Sequence, residues 1–167
     1  PLIVALHGWG STATGFSRIY GLNNHADKNG YAIAYLQGSN FYAPLAWAEG
    51  LHFVSSWNDE ASNLTPTPAG PHCTVDRRPY PCPPDCGSCN HCGWTSCGDD
   101  LTFIDDVIKE LSQRTNIDTE RIYLLGSSNG ATMAQRYACE NSGRLAAVVL
   151  LISQMPPGHT CGPTDAL

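Results

Sequence analysis

The sequence predicts an α/β fold with a mostly parallel sheet and flanking helices. Four apolar runs, at residues 2–6, 31–36, 121–125 and 145–152, have the length and continuity of strands covered on both faces. Segments with helical spacing of apolar residues separate them, and such alternation is typical of parallel sheets. The expected element order is β-α-β, an irregular insert, and then α-β-α-β.

The first part of the chain has the pattern of one βαβ unit. After the strand at 2–6, apolar residues recur at roughly helical spacing between residues 16 and 22, and Gly30 is expected to end that helix. The strand at 31–36 follows at once, and a crossover of this kind should be right-handed.

Residues 58–98 interrupt the pattern, and we expect them to form an irregular, disulfide-rich insert in one partial domain, 1–167. Dense prolines exclude helix interiors and central strands there, and six of the eight cysteines lie in this stretch. About forty residues without regular structure are unusual in a compact domain unless they are functional or cross-linked. Disulfides would fix the insert, which is a candidate wall of a substrate cleft.

The spacing of Cys86, Cys89 and Cys92, with His91 beside them, would also suit metal ligands. A zinc site would want separated pairs at more regular spacing, so disulfides are favoured, and no metal or cofactor is predicted. The even number of cysteines in an acidic, lysine-poor chain indicates an oxidising compartment and therefore secretion.

Regular structure is expected to resume at Asp99. Four apolar residues fall on one face of a helix, which begins with acidic residues and ends near Arg114, as the helix dipole favours. These four residues are Leu101, Ile104, Ile108 and Leu111. A strand at 121–125, a helix at 131–141 and a strand at 145–152 complete the chain.

Composition narrows the possible partners. The chain is 42% hydrophobic and 14% charged, which suits a folded domain, and its net charge of -6 argues against a nucleic-acid partner. No apolar run approaches the roughly 20 residues of a membrane span. Three tryptophans could stack on an aromatic or sugar group, although such residues more often belong to the core. They are Trp47, Trp57 and Trp94.

The third apolar run ends in Gly126-Ser127-Ser128-Asn129-Gly130, a Gly-x-Ser-x-Gly pattern. This pattern predicts a sharp strand-to-helix turn with a nucleophilic serine at its tip. Only Ser128 has glycine two residues away on both sides, so Ser128 is the candidate nucleophile. The alternative is a Ser/Gly-rich surface turn.

A serine nucleophile needs N–H donors for the oxyanion that forms during acyl transfer. One expected donor is the N–H of Asn129, at the start of the next helix. The other should lie on a loop after a neighbouring strand, where His7-Gly8-Trp9-Gly10 occurs. We expect Trp9 to supply that N–H.

Four motifs resemble those of the polyhydroxybutyrate depolymerase and feruloyl esterase group of α/β-hydrolases. They are Leu6-His7-Gly8-Trp9-Gly10, Trp57-Asn58, Asp105-Asp106-Val107, and the serine turn with its continuation Ala131-Thr132-Met133. Residues 137–140 and 144–148 are also similar to that group. The resemblance implies a secreted serine esterase with a Ser-His-Asp triad, acting on polyesters or on esters of plant cell-wall phenolics. It implies Ser128 as nucleophile, with Asn129 and Trp9 as oxyanion donors.

The expected acid and histidine do not follow Ser128 in the usual order. His159 precedes Asp165, in a tail rich in proline and glycine. The other five histidines are poor candidates for the base. They are His7, His25, His52, His72 and His91. The sequence therefore predicts an amino-terminal fragment whose acid and base lie beyond Leu167. The alternative is a non-catalytic module, on the same fold, that binds carbohydrate or protein.

Overall fold

The computed structural model describes residues 1–45, 48–59, 66–67, 70–71, 98–114, 116–153 and 161. The strands are β1 Leu2–Leu6, β2 Ala32–Leu36, β3 Ser39–Leu45, β4 Ala48–Ser56, β5 Pro66–Thr67, β6 Gly70–Pro71, β7 Ile122–Ser127 and β8 Ala147–Leu151. The helices are α1 Ala13–Ile19, α2 Leu22–Asn29, α3 Asp100–Arg114 and α4 Asn129–Glu140, followed by a 3-10 turn at Ser142–Arg144.

Four strands form the central sheet, in the order β2-β1-β7-β8, and every pair is parallel. The chain places β2 on one side of β1 and then crosses to place β7 on the other side. Ligands of such sheets bind beyond the carboxyl ends of the strands where the order reverses, which here is between β1 and β7. The predicted α/β fold, with a mostly parallel sheet and flanking helices, is confirmed.

The two faces of β1 bury different side chains, because successive residues of a strand point to opposite faces. Leu2, Val4 and Leu6 pack in a core with α3 and α4, whereas Ala5 packs with Phe16 of α1. Helices therefore cover both faces of the sheet, as continuous apolar strands require.

The single helix expected before Gly30 is wrong, since two helices occupy that stretch. The helix is interrupted at Tyr20 and Gly21, and Gly21 has φ +62°. The apolar spacing predicted one continuous helix wrongly because two of its residues, Ile19 and Tyr20, are 62% and 46% exposed and are not part of the core. Gly30 does end α2, with φ +69° and its N–H bonded to the Ala26 carbonyl.

A hairpin of β3 and β4 follows β2 and was not predicted. Its antiparallel register runs from Ser39 opposite Ser56 to Leu45 opposite Ala48, with an irregularity at Pro44 and Leu45. Its apolar run at residues 41–48 contains Pro44, a residue that is rare in strand interiors. The hairpin returns the chain to the carboxyl end of β1.

The later elements occur in the predicted order with shifted bounds. β7 extends to Ser127, and α4 begins at Asn129 rather than at residue 131, so the turn between them is a single residue. The expectation that the last strand is buried on both faces is wrong for β8, because Ala147 and Val149 are exposed. β8 has a strand neighbour on one side only among the described residues.

Most of the predicted insert lies outside the described residues, as do its six cysteines and Trp94. Within it, β5 and β6 form a two-residue antiparallel pair. The division into a domain with a disulfide-rich insert stays a prediction. None of the helices in the described ranges has the length and apolarity needed to cross a membrane.

Candidate active site

Ser128 lies at the tip of the turn between β7 and α4. Its backbone has φ +53° and ψ -123°, a conformation that residues with a side chain rarely adopt, and Ser128 is exposed. Its N–H bonds the Leu151 carbonyl at the end of β8, at 2.8 Å. Strained backbone of this kind is typical of functional sites. The predicted strand, sharp turn and helix are confirmed.

The two glycines of the motif are required by close backbone packing. A Cβ on Gly126 would lie 2.2 Å from the Gly130 carbonyl oxygen. A Cβ on Gly130 would lie 2.3 Å from the His7 oxygen and 2.4 Å from the Leu6 oxygen. All three distances are far below van der Waals contact, so only glycine lets α4 approach β7 and the end of β1 this closely.

The loop after β1 lies directly beside Ser128. Leu6 is paired with Gly126 across the parallel strands, so the segments that follow leave the sheet side by side. A Cβ on Gly8 would lie 3.3 Å from the Ser128 Cβ and 3.3 Å from the Ser127 oxygen. Trp9 follows Gly8 and is half-buried. The two motifs that the sequence singled out therefore meet at one point.

Residues at the end of β4 hold this loop in place. The Trp57 indole N–H donates to the His7 carbonyl at 2.8 Å, and the Gly10 N–H donates to the Ser55 carbonyl at 2.8 Å. The Ser55 hydroxyl donates to the Ser11 carbonyl. Trp57 is fully buried, so the interpretation of this tryptophan as a core residue is confirmed.

His7 is fully buried, and both of its ring nitrogens have partners. The Gly38 N–H can only donate, so Nε2 accepts it at 3.0 Å, and Nδ1 carries the proton that it donates to the Gly8 carbonyl at 2.8 Å. Burial lowers the pKa of His7 from its ordinary value, and the bond to Gly8 offsets part of this effect. His7 is thus a neutral residue that shapes the loop.

Asn129 is engaged through its side chain, which sequence reasoning missed. Its Oδ1 accepts from the Trp57 N–H at 2.9 Å and from the Ser56 hydroxyl at 3.1 Å. Its Nδ2 donates to the Trp57 carbonyl at 3.2 Å and to Asp59 Oδ2 at 2.7 Å. The Trp57-Asn58 pair of the resemblance was the one available signal that this segment belongs to the site.

The other residues that the sequence offered as site candidates either bond to residues outside the site or lie outside the described residues. His25 contacts the Tyr31 hydroxyl at 2.8 Å, and His52 contacts the Glu49 carbonyl at 3.0 Å. Residues outside the described ranges are Trp47, Trp94, His72, His91, His159, Asp165 and the cysteines of the insert.

Cys139 at the end of α4 forms a disulfide with Cys161. This bond agrees with the expectation that cysteines of this chain are paired. Within the described ranges, no three residues among His, Cys, Asp and Glu are grouped as metal ligands would be.

No family model matches the chain. Among curated proteins, the chain is similar to the one named "Putative esterase NocK" from Nocardia uniformis subsp. tsuyamanensis, with 32% identity over 168 residues. The match covers 100% of this chain and 37% of that protein, so the chain spans little more than a third of its relative's length. Over its whole length, the chain is therefore related to a protein that carries an esterase name.

Proposed function

We propose that this chain carries the nucleophile and the oxyanion-binding loop of a serine esterase. The observation that supports this most is Ser128, an exposed serine with φ +53° at a one-residue turn between strand and helix. The turn has no space for a Cβ at Gly126 or Gly130, so its geometry depends on the motif itself. The likeness to a named esterase supports the same reaction class.

The proposed oxyanion donors are the backbone N–H groups of Asn129 and Trp9. Asn129 is the first residue of α4, and the earliest N–H groups of a helix have no acceptor within it. Trp9 directly follows Gly8, whose backbone approaches Ser128. Donors fixed in advance in this way stabilise charge that develops in the transition state.

In the proposed reaction, a general base takes the proton of the Ser128 hydroxyl while its oxygen attacks the ester carbonyl carbon. The carbonyl oxygen becomes an oxyanion held by the two N–H groups. The tetrahedral adduct then collapses to the acyl-enzyme, and its C–O bond to the alcohol group breaks. The oxygen of the leaving alcohol receives the proton that the base took from Ser128. Water attacks the acyl-enzyme by the same route and releases the acid and free Ser128. The neutral, fully bonded ring of His7 is not the base in this scheme.

The proposed substrates are a hydroxyalkanoate polyester or a feruloylated carbohydrate, as the resemblance implies. We further propose that the protein is secreted, which is supported by the disulfide between Cys139 and Cys161. Comparing release of hydroxy acids from polyester films with release of ferulate from feruloylated polysaccharide separates the two substrate classes.

A fluorophosphonate probe, which reacts with activated serines, tests the function in the full-length protein. We expect labelling at Ser128 and its loss in Ser128→Ala. Ser127→Ala is the matched control, because Ser127 is adjacent but belongs to β7, and it should keep labelling. If wild-type protein is not labelled, or if Ser128→Ala is labelled equally, the esterase proposal is wrong and a binding module on this fold is favoured.

A further inference from the structure

We propose that Asp59 is a positioning residue for the oxyanion hole and that it acts through the side chain of Asn129. The inference rests on the proposed function, in which the Asn129 N–H binds the oxyanion. Asp59 has no role in the bond-making steps of that reaction. Its carboxylate is nevertheless almost completely buried, beside the residue that follows the nucleophile.

Burial of Asp59 needs a physical explanation. Asp59 is 2% exposed, and removing a carboxylate from water is costly unless hydrogen bonds replace those of the solvent. Asn129 Nδ2 donates to its Oδ2 at 2.7 Å, a short bond to a charged acceptor. Asn129 is itself 6% exposed, so this bond forms away from water. Such a bond is stronger than one at the surface.

The Asn129 amide has one possible orientation. Its two donors and two acceptor positions are all used, by the Trp57 N–H, the Trp57 carbonyl, the Ser56 hydroxyl and Asp59. The Trp57 N–H can only donate and the carboxylate can only accept, so a rotated amide would face both with the wrong atom. Asp59 is therefore one of the two groups that decide the orientation of this side chain.

The segment that carries Asp59 is itself held from three directions. The Asn58 N–H donates to Asp100 Oδ2 at 2.6 Å, and the Asn58 side chain donates to the Gly98 carbonyl at 3.0 Å. Arg136 of α4 donates to the Asn58 carbonyl at 2.7 Å. Asp59 thus lies on a segment that follows β4 and is bonded both to the start of α3 and to α4. A fixed support is what a positioning residue requires.

The link to catalysis runs through the backbone of Asn129. A side chain clamped at four points restricts the main chain of the same residue, and the direction of its N–H with it. The Trp57 side chain of this clamp also donates to the His7 carbonyl, in the loop that carries Trp9. The clamp therefore ties both proposed donors to one frame, and a displacement of about 1 Å in such a frame can cost about 100-fold in rate.

The test compares Asp59→Ala with Asp59→Asn in the full-length protein. Asp59→Ala should lower kcat by about 10- to 100-fold with KM changed by less than about twofold, because the loss falls on the transition state. The affinity for a trifluoromethyl ketone, which forms a tetrahedral adduct on serine, should fall in parallel with kcat. Asp59→Asn keeps a side-chain carbonyl that can accept from Asn129, and it should recover most of the rate.

Asp105→Ala is the matched control. The Asp105 carboxylate accepts from the Tyr137 hydroxyl of α4 and pairs with Arg144 at 3.0 Å, so it also anchors α4, but it does not contact Asn129. This variant should lose stability and keep kcat. If Asp59→Ala keeps kcat, or if Asp105→Ala lowers it equally, Asp59 is only a structural residue and the inference is wrong.

An exchange of the two residues decides the question if Asp59→Ala does not fold. Asn129→Asp places two carboxylates together and should lower kcat strongly. Adding Asp59→Asn restores the bond between the two side chains with donor and acceptor reversed, while the Trp57 carbonyl still lacks its Nδ2 donor, so part of the loss, about tenfold, should be recovered. No recovery would overturn the inference. Turnover that survives Ser128→Ala would instead reject the proposed function, so the two failures are distinguishable.

Discussion

Replacing Gly130 by alanine tests the packing that places Ser128. Alanine is a better helix former than glycine by about 1 kcal/mol, so helix propensity alone predicts that the substitution in α4 stabilises the protein. The structure predicts the opposite. The new Cβ would lie 2.3 Å from the His7 oxygen, about 1 Å closer than the 3.4 Å at which ordinary contact begins, and both nearest atoms are backbone. Since the strand end cannot rotate away, α4 must move.

Forced overpacking of this kind costs about 1–3 kcal/mol, which exceeds the propensity gain. We expect a net loss of about 1–2 kcal/mol in the free energy of unfolding. We also expect a fall of about 100-fold in the rate of fluorophosphonate labelling, because Ser128 moves with α4 and shifts by about 1 Å relative to the Trp9 donor. Urea denaturation and time-resolved labelling measure the two effects.

Gly143→Ala is the control for this experiment. A Cβ there meets nothing within 4 Å, so its effect should stay within about 0.5 kcal/mol, with unchanged labelling. If Gly130→Ala is as stable as wild type and labels Ser128 at the wild-type rate, α4 is not in close contact with the end of β1. The close packing at Gly130 would then not be what positions Ser128.

Two further predictions concern stability. Burial lowers the pKa of His7 below its ordinary value of 6.5, so the unfolded state binds more protons as pH falls below that value. Stability should therefore be full above about pH 6.5 and decline towards pH 5, by at most about 1.4 kcal/mol per pH unit from this group, and the decline in urea midpoint should be smaller in His7→Gln. The disulfide between Cys139 and Cys161 closes a span of 22 residues, and Cys161→Ser should lower the free energy of unfolding by about 3 kcal/mol. Equal pH dependence of the urea midpoint in His7→Gln and wild type would contradict the prediction for His7. An unchanged urea midpoint of Cys161→Ser in non-reducing buffer would contradict the prediction for the disulfide.

The sheet and its helices were predictable because their signals are local. The run at residues 2–6 is continuous and apolar since β1 has helices against both faces, and α3 has its apolar residues on one side. The break at Gly21 was missed because Ile19 and Tyr20 match the helical spacing although they face solvent. The hairpin of β3 and β4 was missed although its pairing is local, because Pro44 lies inside its apolar run and proline is rare in strand interiors.

The candidate site was predictable in part for the same reason. The serine turn can be recognised from glycines two residues either side of Ser128, because a side chain at Gly126 would meet Gly130 and a side chain at Gly130 would meet the end of the neighbouring strand β1. The loop at His7 to Gly10 was expected beside it because neighbouring parallel strands end at the same edge. The clamp on Asn129 was not predictable, since it joins residues about seventy positions apart through bonds of a buried side chain.

The sequence by itself determined the α/β class, the parallel strands and the identity of the turn serine, because periodicity and glycine spacing express local constraints. Only the tertiary structure decided that β4 returns to the end of β1, that His7 is a neutral bonded residue, and that Asp59 supports Asn129. These features depend on hydrogen bonds that close over long stretches of chain. A donor and its acceptor that are far apart in the chain leave no local pattern in the sequence, because only the fold brings them within about 3 Å of each other.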